Sequence, residues 1–134
     1  MQFCQLWRRH WFLLSKTWLV LVGIRLTLWF GSYRTVLKRI ASLTPRNEPF
    51  LSIQMLADAV DLTARCVPGA SCLTQALSLR YLAAREGIEC TIRIGVKTQS
   101  DGSFEAHAWV TAHGSIIIGG KLEEVTTFMP IVDL

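Results

Sequence analysis

The chain has 134 residues, of which 51% are hydrophobic and 18% charged, and a net charge of +4. That length suits a single domain, and so apolar a composition excludes an intrinsically disordered chain. The positive charge gathers in the first third, at Arg8, Arg9, Lys16, Arg25, Arg34, Lys38, Arg39 and Arg46, with no acidic residue before Glu48; no groove-reading motif accompanies it, so nucleic acid is not an expected partner.

Residues 5 to about 43 lack proline and are predicted to be helical. Trp7, Trp11, Leu14, Trp18 and Leu21 recur at three- and four-residue spacing and are expected on one face. The expectation is that this stripe packs on the rest of the domain; docking to a partner protein or a lipid surface is the alternative. Gly23 and Gly31-Ser32 are expected to divide or bend the stretch. Trp11 to Phe30 is strongly apolar, but Lys16 and Arg25 interrupt it, and the charge-free run from Thr17 to Ile24 is too short to span a bilayer. With no small-residue cleavage site it reads as a helix rather than an export signal, which implies a cytoplasmic protein. Charges near each end could snorkel, so peripheral membrane contact stays open.

Thr44-Pro45-Arg46-Asn47-Glu48-Pro49 is a punctuated linker. It divides the chain into a basic, apolar helical region, 1–49, and a core unit, 50–134. A helix is predicted from about Ser52, a plausible N-cap, to Arg65, and a second from about Ser71 to Glu86, with Gly87 as its stop. From Gly87 the pattern turns β-branched and alternating. Glu89 to Val96 reads as a strand, Ser100-Asp101-Gly102-Ser103 as a hairpin turn, Phe104 to Thr111 as the partner strand, His113-Gly114 as another turn and Ser115 to Ile118 as a third strand. The tail, Lys121 to Leu134, is expected to wrap the sheet edge. Helices first and an antiparallel meander second make an α+β fold.

The four cysteines, Cys4, Cys66, Cys72 and Cys90, show neither a CxxC pair nor a secreted disulfide framework, and with His107 and His113 they give no zinc-ligand spacing. Neither a metal nor a cofactor is expected. Cys4, Cys66 and Cys90 are read as small buried hydrophobes. Cys72 differs, because it alone follows a turn and opens a helix. There unpaired N–H groups and the helix dipole favour an anion, and the thiolate is the nucleophilic form. His107 sits between Ala106 and Ala108 in an apolar strand, whereas His113 lies in a turn and His10 in the basic region. A thiol at a helix start and an imidazole on a strand are the minimum for a nucleophile with its general base. The structural alternatives are a cysteine buried under the sheet and a histidine satisfied within it.

Together these segments resemble a known family. Pro68-Gly69-Ala70-Ser71-Cys72-Leu73-Thr74-Gln75-Ala76-Leu77, then Leu82, Gly87-Ile88 and Ile94-Gly95-Val96, are similar to the leader peptidase of lasso-peptide biosynthesis, the transglutaminase-like protein B or its separate C-terminal half. Phe104-Glu105-Ala106-His107-Ala108-Trp109-Val110, Gly114 and Ile118-Gly119-Gly120 continue the match in order, over roughly residues 50 to 128. The resemblance implies a transglutaminase-like, papain-like cysteine protease core, with Cys72 as nucleophile and His107 as base. It also implies removal of the leader from a ribosomally made precursor peptide. The implied partners are that precursor, a separate leader-binding protein, since residues 1–49 do not read as a recognition domain, and the lasso cyclase.

One departure stands out. The family commonly places an aspartate about a dozen residues after the histidine to orient the imidazole. Here Ile116-Ile117-Ile118-Gly119-Gly120 carries no carboxylate. A backbone carbonyl or an amide such as Gln75 could take that role, and the third member stays unassigned. The departure keeps a second function in view, a non-catalytic module that holds a peptide or partner. An acyltransferase with an amine as acceptor is a third.

Overall fold

The computed structural model describes residues 2–45, 51–67, 69, 71–120 and 126–134, with side chains from residue 11 onward in these ranges, residue 132 excepted. Four helices precede a four-stranded antiparallel sheet: α1 (Gln2–Phe30), α2 (Tyr33–Ala41), α3 (Ile53–Ala64), α4 (Cys72–Arg85), β1 (Thr91–Thr98), β2 (Phe104–Ala112), β3 (Ser115–Ile118) and β4 (Met129–Asp133). The strand order is β3-β2-β1-β4. This is the α+β arrangement expected.

The expected break at Gly31-Ser32 is present, since Ser32 is extended (φ −129°, ψ 164°) and starts α2. Gly23 breaks nothing: α1 runs through it, and beyond the adjoining residues and backbone of its own helix no atom lies within 4 Å of where a Cβ would sit. The face of α1 that packs on the domain keeps Leu14 and Leu21 of the expected stripe but not Trp11 or Trp18. Leu13, Thr17, Leu21 and Ile24 are its buried residues, while Trp11 and Trp18 are 63% and 44% exposed. Both sides of α1 are apolar, so periodicity alone could not choose which one turns inward. Trp7 lies outside the described side chains.

Helix α4 is the hub, packing on α1, α2, α3, β1 and β2. Its start is capped by the Ser71 hydroxyl, which accepts from the Thr74 N–H at 3.3 Å. Its end is a Schellman turn: Gly87 takes φ +72°, the Ile88 N–H donates to the Ala83 carbonyl at 2.9 Å and the Gly87 N–H to that of Ala84 at 3.2 Å. Helix α3 is likewise capped, by Ser52 accepting from the Met55 N–H at 3.2 Å. One continuous core joins Leu13, Leu21 and Val36 to Leu56, Leu77, Ile92 and Val110, so α1 and α2 share it with the rest of the domain.

The sheet registers Ile92 with Val110 and Ile94 with Ala108, and all four pack in that core. Alternation then sends Arg93, Gly95, His107 and Trp109 to the other face. The β2–β3 turn is His113-Gly114, both at positive φ (52° and 77°), and His113 is exposed. The end of the tail lies along the sheet edge, as expected, and does so as strand β4. It covers the β1 edge, with a register shift between Ile94 and Gly95. Leu134 and Ile92 exchange hydrogen bonds at 2.7 and 3.1 Å, and Arg80 donates to the Leu134 carbonyl.

Candidate active site

Cys72 is the first residue of α4, half-buried against the core. Ser71 closes the turn in front of it, its hydroxyl occupied by the Thr74 N–H and lying 3.1 Å from the Thr74 hydroxyl. The Gln75 N–H is taken by the Ser71 carbonyl at 3.0 Å. The N–H groups of Cys72 and Leu73 are thus those that the helix itself cannot satisfy. The preceding turn is tied to α1: at Gly69 (φ +75°) an added Cβ would lie 2.5 Å from the Arg25 guanidinium.

The other cysteines sit in different settings. Cys66 is exposed rather than buried, because it falls just beyond the end of α3. Cys90 is half-buried, and burial pushes its thiol up, with nearby Arg80 pulling the other way. Cys4 and His10 lie outside the described side chains. Among the described residues no group of His, Cys, Asp or Glu is arranged to hold a metal ion.

His107, half-buried on β2, has a defined partner in the carbonyl of Gly119, which meets its Nε2. A carbonyl only accepts, so Nε2 carries a hydrogen and, in the neutral ring, Nδ1 holds the lone pair. The ring stacks on Phe128 at 5.3 Å and on Trp109 at 6.1 Å. Only glycine fits at 119. Its φ is +102°, and a Cβ would lie 2.6 Å and 2.7 Å from Trp109 Cβ and Cα and 2.8 Å from the Ala108 carbonyl. Gly95 is similarly tight, with Trp109 and Phe128 2.9 and 3.0 Å from a Cβ. The partner of the imidazole is therefore the Gly119 main chain, twelve positions after His107, where the sequence carries no carboxylate. The Gly119-Gly120 pair was the one visible signal for it.

The two predicted side chains sit on α4 and β2, which pack on each other. The later part of α4 (Arg80, Ala84) lines a cavity of about 720 Å³ with Thr111 and Ala112 at the far end of β2. Cys72 opens that helix, and His107 lies four residues before Thr111 on that strand. They approach from different faces. Cys72 is on the helical side, whereas His107 belongs to the Trp109–Phe128 cluster on the other, and no hydrogen bond joins the two. The last β2–β3 pair is Val110 with Ile118, so no β3 residue pairs with β2 beside His107.

A helix-led α+β fold with a cysteine opening its hub helix and a histidine on the next hairpin is a cysteine-protease type of architecture. The chain belongs to the transglutaminase-like superfamily, whose family model matches residues 18–133. No curated protein and no solved structure matches it.

Proposed function

We propose that this protein is a cysteine peptidase that removes the leader from a ribosomally made lasso-peptide precursor in the cytoplasm. The observation that carries the reading is the Gly119 carbonyl on His107 Nε2. It supplies what the missing aspartate would have supplied, a fixed tautomer with Nδ1 as the basic nitrogen.

Cleavage requires the Cys72 thiol to give its proton to His107 Nδ1, so the two groups must first move together from the opposite sides of the sheet, and Sγ then attacks the scissile carbonyl carbon. The Cys72 and Leu73 N–H groups, at the positive end of α4, hold the oxyanion. As the tetrahedral species collapses, the C–N bond breaks and the Nδ1 proton passes to the leaving amine, the future N-terminus of the core peptide. Water then adds to the thioester, losing a proton to Nδ1. The C–S bond breaks, and the thiolate is reprotonated. The Gly119 carbonyl stabilises the imidazolium at each stage. Recognition of the leader falls to a separate leader-binding protein, and the freed amine passes to the lasso cyclase.

The test uses the full chain with precursor and leader-binding protein, read by mass spectrometry. Two fragments are expected from the natural protein, and a loss of at least about a thousandfold in rate from Cys72→Ala. Undiminished cleavage by Cys72→Ala would end the peptidase reading.

The placement of Cys72 and His107 on different faces of the sheet favours a second reading, a module that holds the peptide without cutting it. Iodoacetamide separates the two. A nucleophilic Cys72 is alkylated faster than exposed Cys66, and Cys90 slowest of the three; a Cys72 slower than Cys66, with precursor bound and uncut, identifies the binding module.

A further inference from the structure

Helix α1 has a second apolar face that the fold leaves open. Trp11, Phe12, Leu19, Leu26, Trp29 and Phe30 are 47% to 85% exposed, and at 100° per residue they lie within one side of the helix. The only charged residues between Trp11 and Phe30 are Lys16 and Arg25, which fall on opposite borders of that side, about 90° from its middle. This stretch is long and apolar enough to cross a membrane, with a mean hydropathy of 1.4. It is nevertheless committed to the domain: Thr17 and Leu21 are fully buried, and α1 packs on α3 and α4. A helix fixed along one side can meet a bilayer only by lying in its plane.

We infer that α1 docks this protein in-plane on an anionic lipid surface, sunk to the depth of its outer aromatic face. Charge selects this occupant over a partner protein. Residues 1–45 hold seven Lys and Arg and no Asp or Glu, whereas residues 46–134 hold seven Lys and Arg against ten Asp and Glu. So one-sided a distribution around an apolar, tryptophan-rich face matches the interfacial helices of peripheral membrane proteins.

A place for the headgroup adjoins the face. A cavity of about 550 Å³ opens between α1, α2 and α4, with an apolar wall that includes Leu19, Ile24 and Val36. Lys16, Arg39 and Arg85 also line it, and no carboxylate does. The border residue Arg25 lies against Gly69 in the turn before Cys72, so a docked α1 holds the nucleophile's turn beside the membrane surface.

The test is sedimentation of the full chain with phosphatidylcholine vesicles, with or without one-third phosphatidylglycerol. Binding is expected to be at least about tenfold stronger to the anionic vesicles and to weaken in high salt. Leu26→Glu combined with Trp29→Glu should lower it by a further tenfold or so. Should that variant fail to fold, quenching of the natural protein's tryptophans by bromine-labelled lipid reads the same contact. Equal binding with and without anionic lipid, an unaffected folded double variant or unquenched tryptophans would overturn the inference. So would a stable dimer that ignores vesicles, which would assign the face to a second copy of the chain.

Discussion

The two halves of the candidate site are built in opposite ways. The helix tip at Cys72 is largely local: its N-cap is Ser71, and the hydrogen bonds that Ser71 makes among the described residues, to Thr74 and Gln75, span four residues or fewer. The imidazole of His107 is held by distant chain, Gly119 on one side and Phe128 against its ring. One half is specified by neighbours in sequence, the other by the closure of the sheet. The two should therefore fail differently when altered.

The largest expected effect on stability falls on the distant half. Gly119→Ala forces a Cβ to within 2.6 to 2.8 Å of the Trp109 Cα and Cβ and the Ala108 carbonyl, at a φ of +102°. Backbone cannot yield there as a flexible side chain would, and a cost of about 3 kcal/mol or more is expected. Denaturant unfolding measures it. Cleavage should fall with it even in the fraction that stays folded, because the carbonyl that sets the His107 tautomer moves. A Gly119→Ala protein of natural stability and natural rate would remove the carbonyl from the proposed site.

Phe128→Ala sharpens the contrast. Phe128 is half-buried and stacks on His107, lies 6.3 Å from Trp109 by ring centres, and has the Lys97 ammonium 5.7 Å from its own ring centre. Its loss should cost about 2 kcal/mol, below the range for fully buried aromatics. The imidazole keeps its hydrogen bond but loses the ring that fixes its plane. The expected signature is a lower kcat for precursor cleavage with little change in KM, and unaltered alkylation of Cys72. A fall in Cys72 reactivity would show that the two halves are coupled more tightly than their construction implies.

The same contrast explains what could be read in the sequence. The start and stop of α4, the cap of α3, the hairpin and the His113-Gly114 turn depend on local chemistry, and Ser71, Gly87, Ser52 and Gly102 announce it. The arrangement of helices before an antiparallel sheet followed from the change of period at Gly87. Strand β4 was not legible as a strand. Met129-Pro130-Ile131-Val132-Asp133 contains a proline, and only the open β1 edge gives it a ladder. Nor was the inward face of α1, because both faces are apolar and the choice is made by what α3 and α4 offer. Gly119 was hidden for another reason: it works through a carbonyl, which every residue carries, so only its intolerance of a Cβ distinguishes it.

The smallest expected effect belongs to the local half. Ser71→Ala removes the acceptor for the Thr74 N–H at 3.3 Å and the hydroxyl contact with Thr74 at 3.1 Å. Loss of an N-cap costs about 1 kcal/mol, which lowers Tm by about 3 to 5 °C in a domain of this size. The Thr74 side chain is buried, and the Ser78 hydroxyl donates to the Thr74 carbonyl at 2.7 Å. The second turn of α4 therefore keeps its anchor, and fraying stops at the first. Fraying there displaces the N–H groups that would hold an oxyanion and loosens the thiol's place at the positive end of the helix. Iodoacetamide labelling of Cys72 should slow by a few-fold, while near-ultraviolet dichroism from the Trp109–Phe128 cluster is unchanged. If that dichroism shifts along with the labelling rate, the helix tip and the strand face form one unit, and the separation between local and distant halves does not hold.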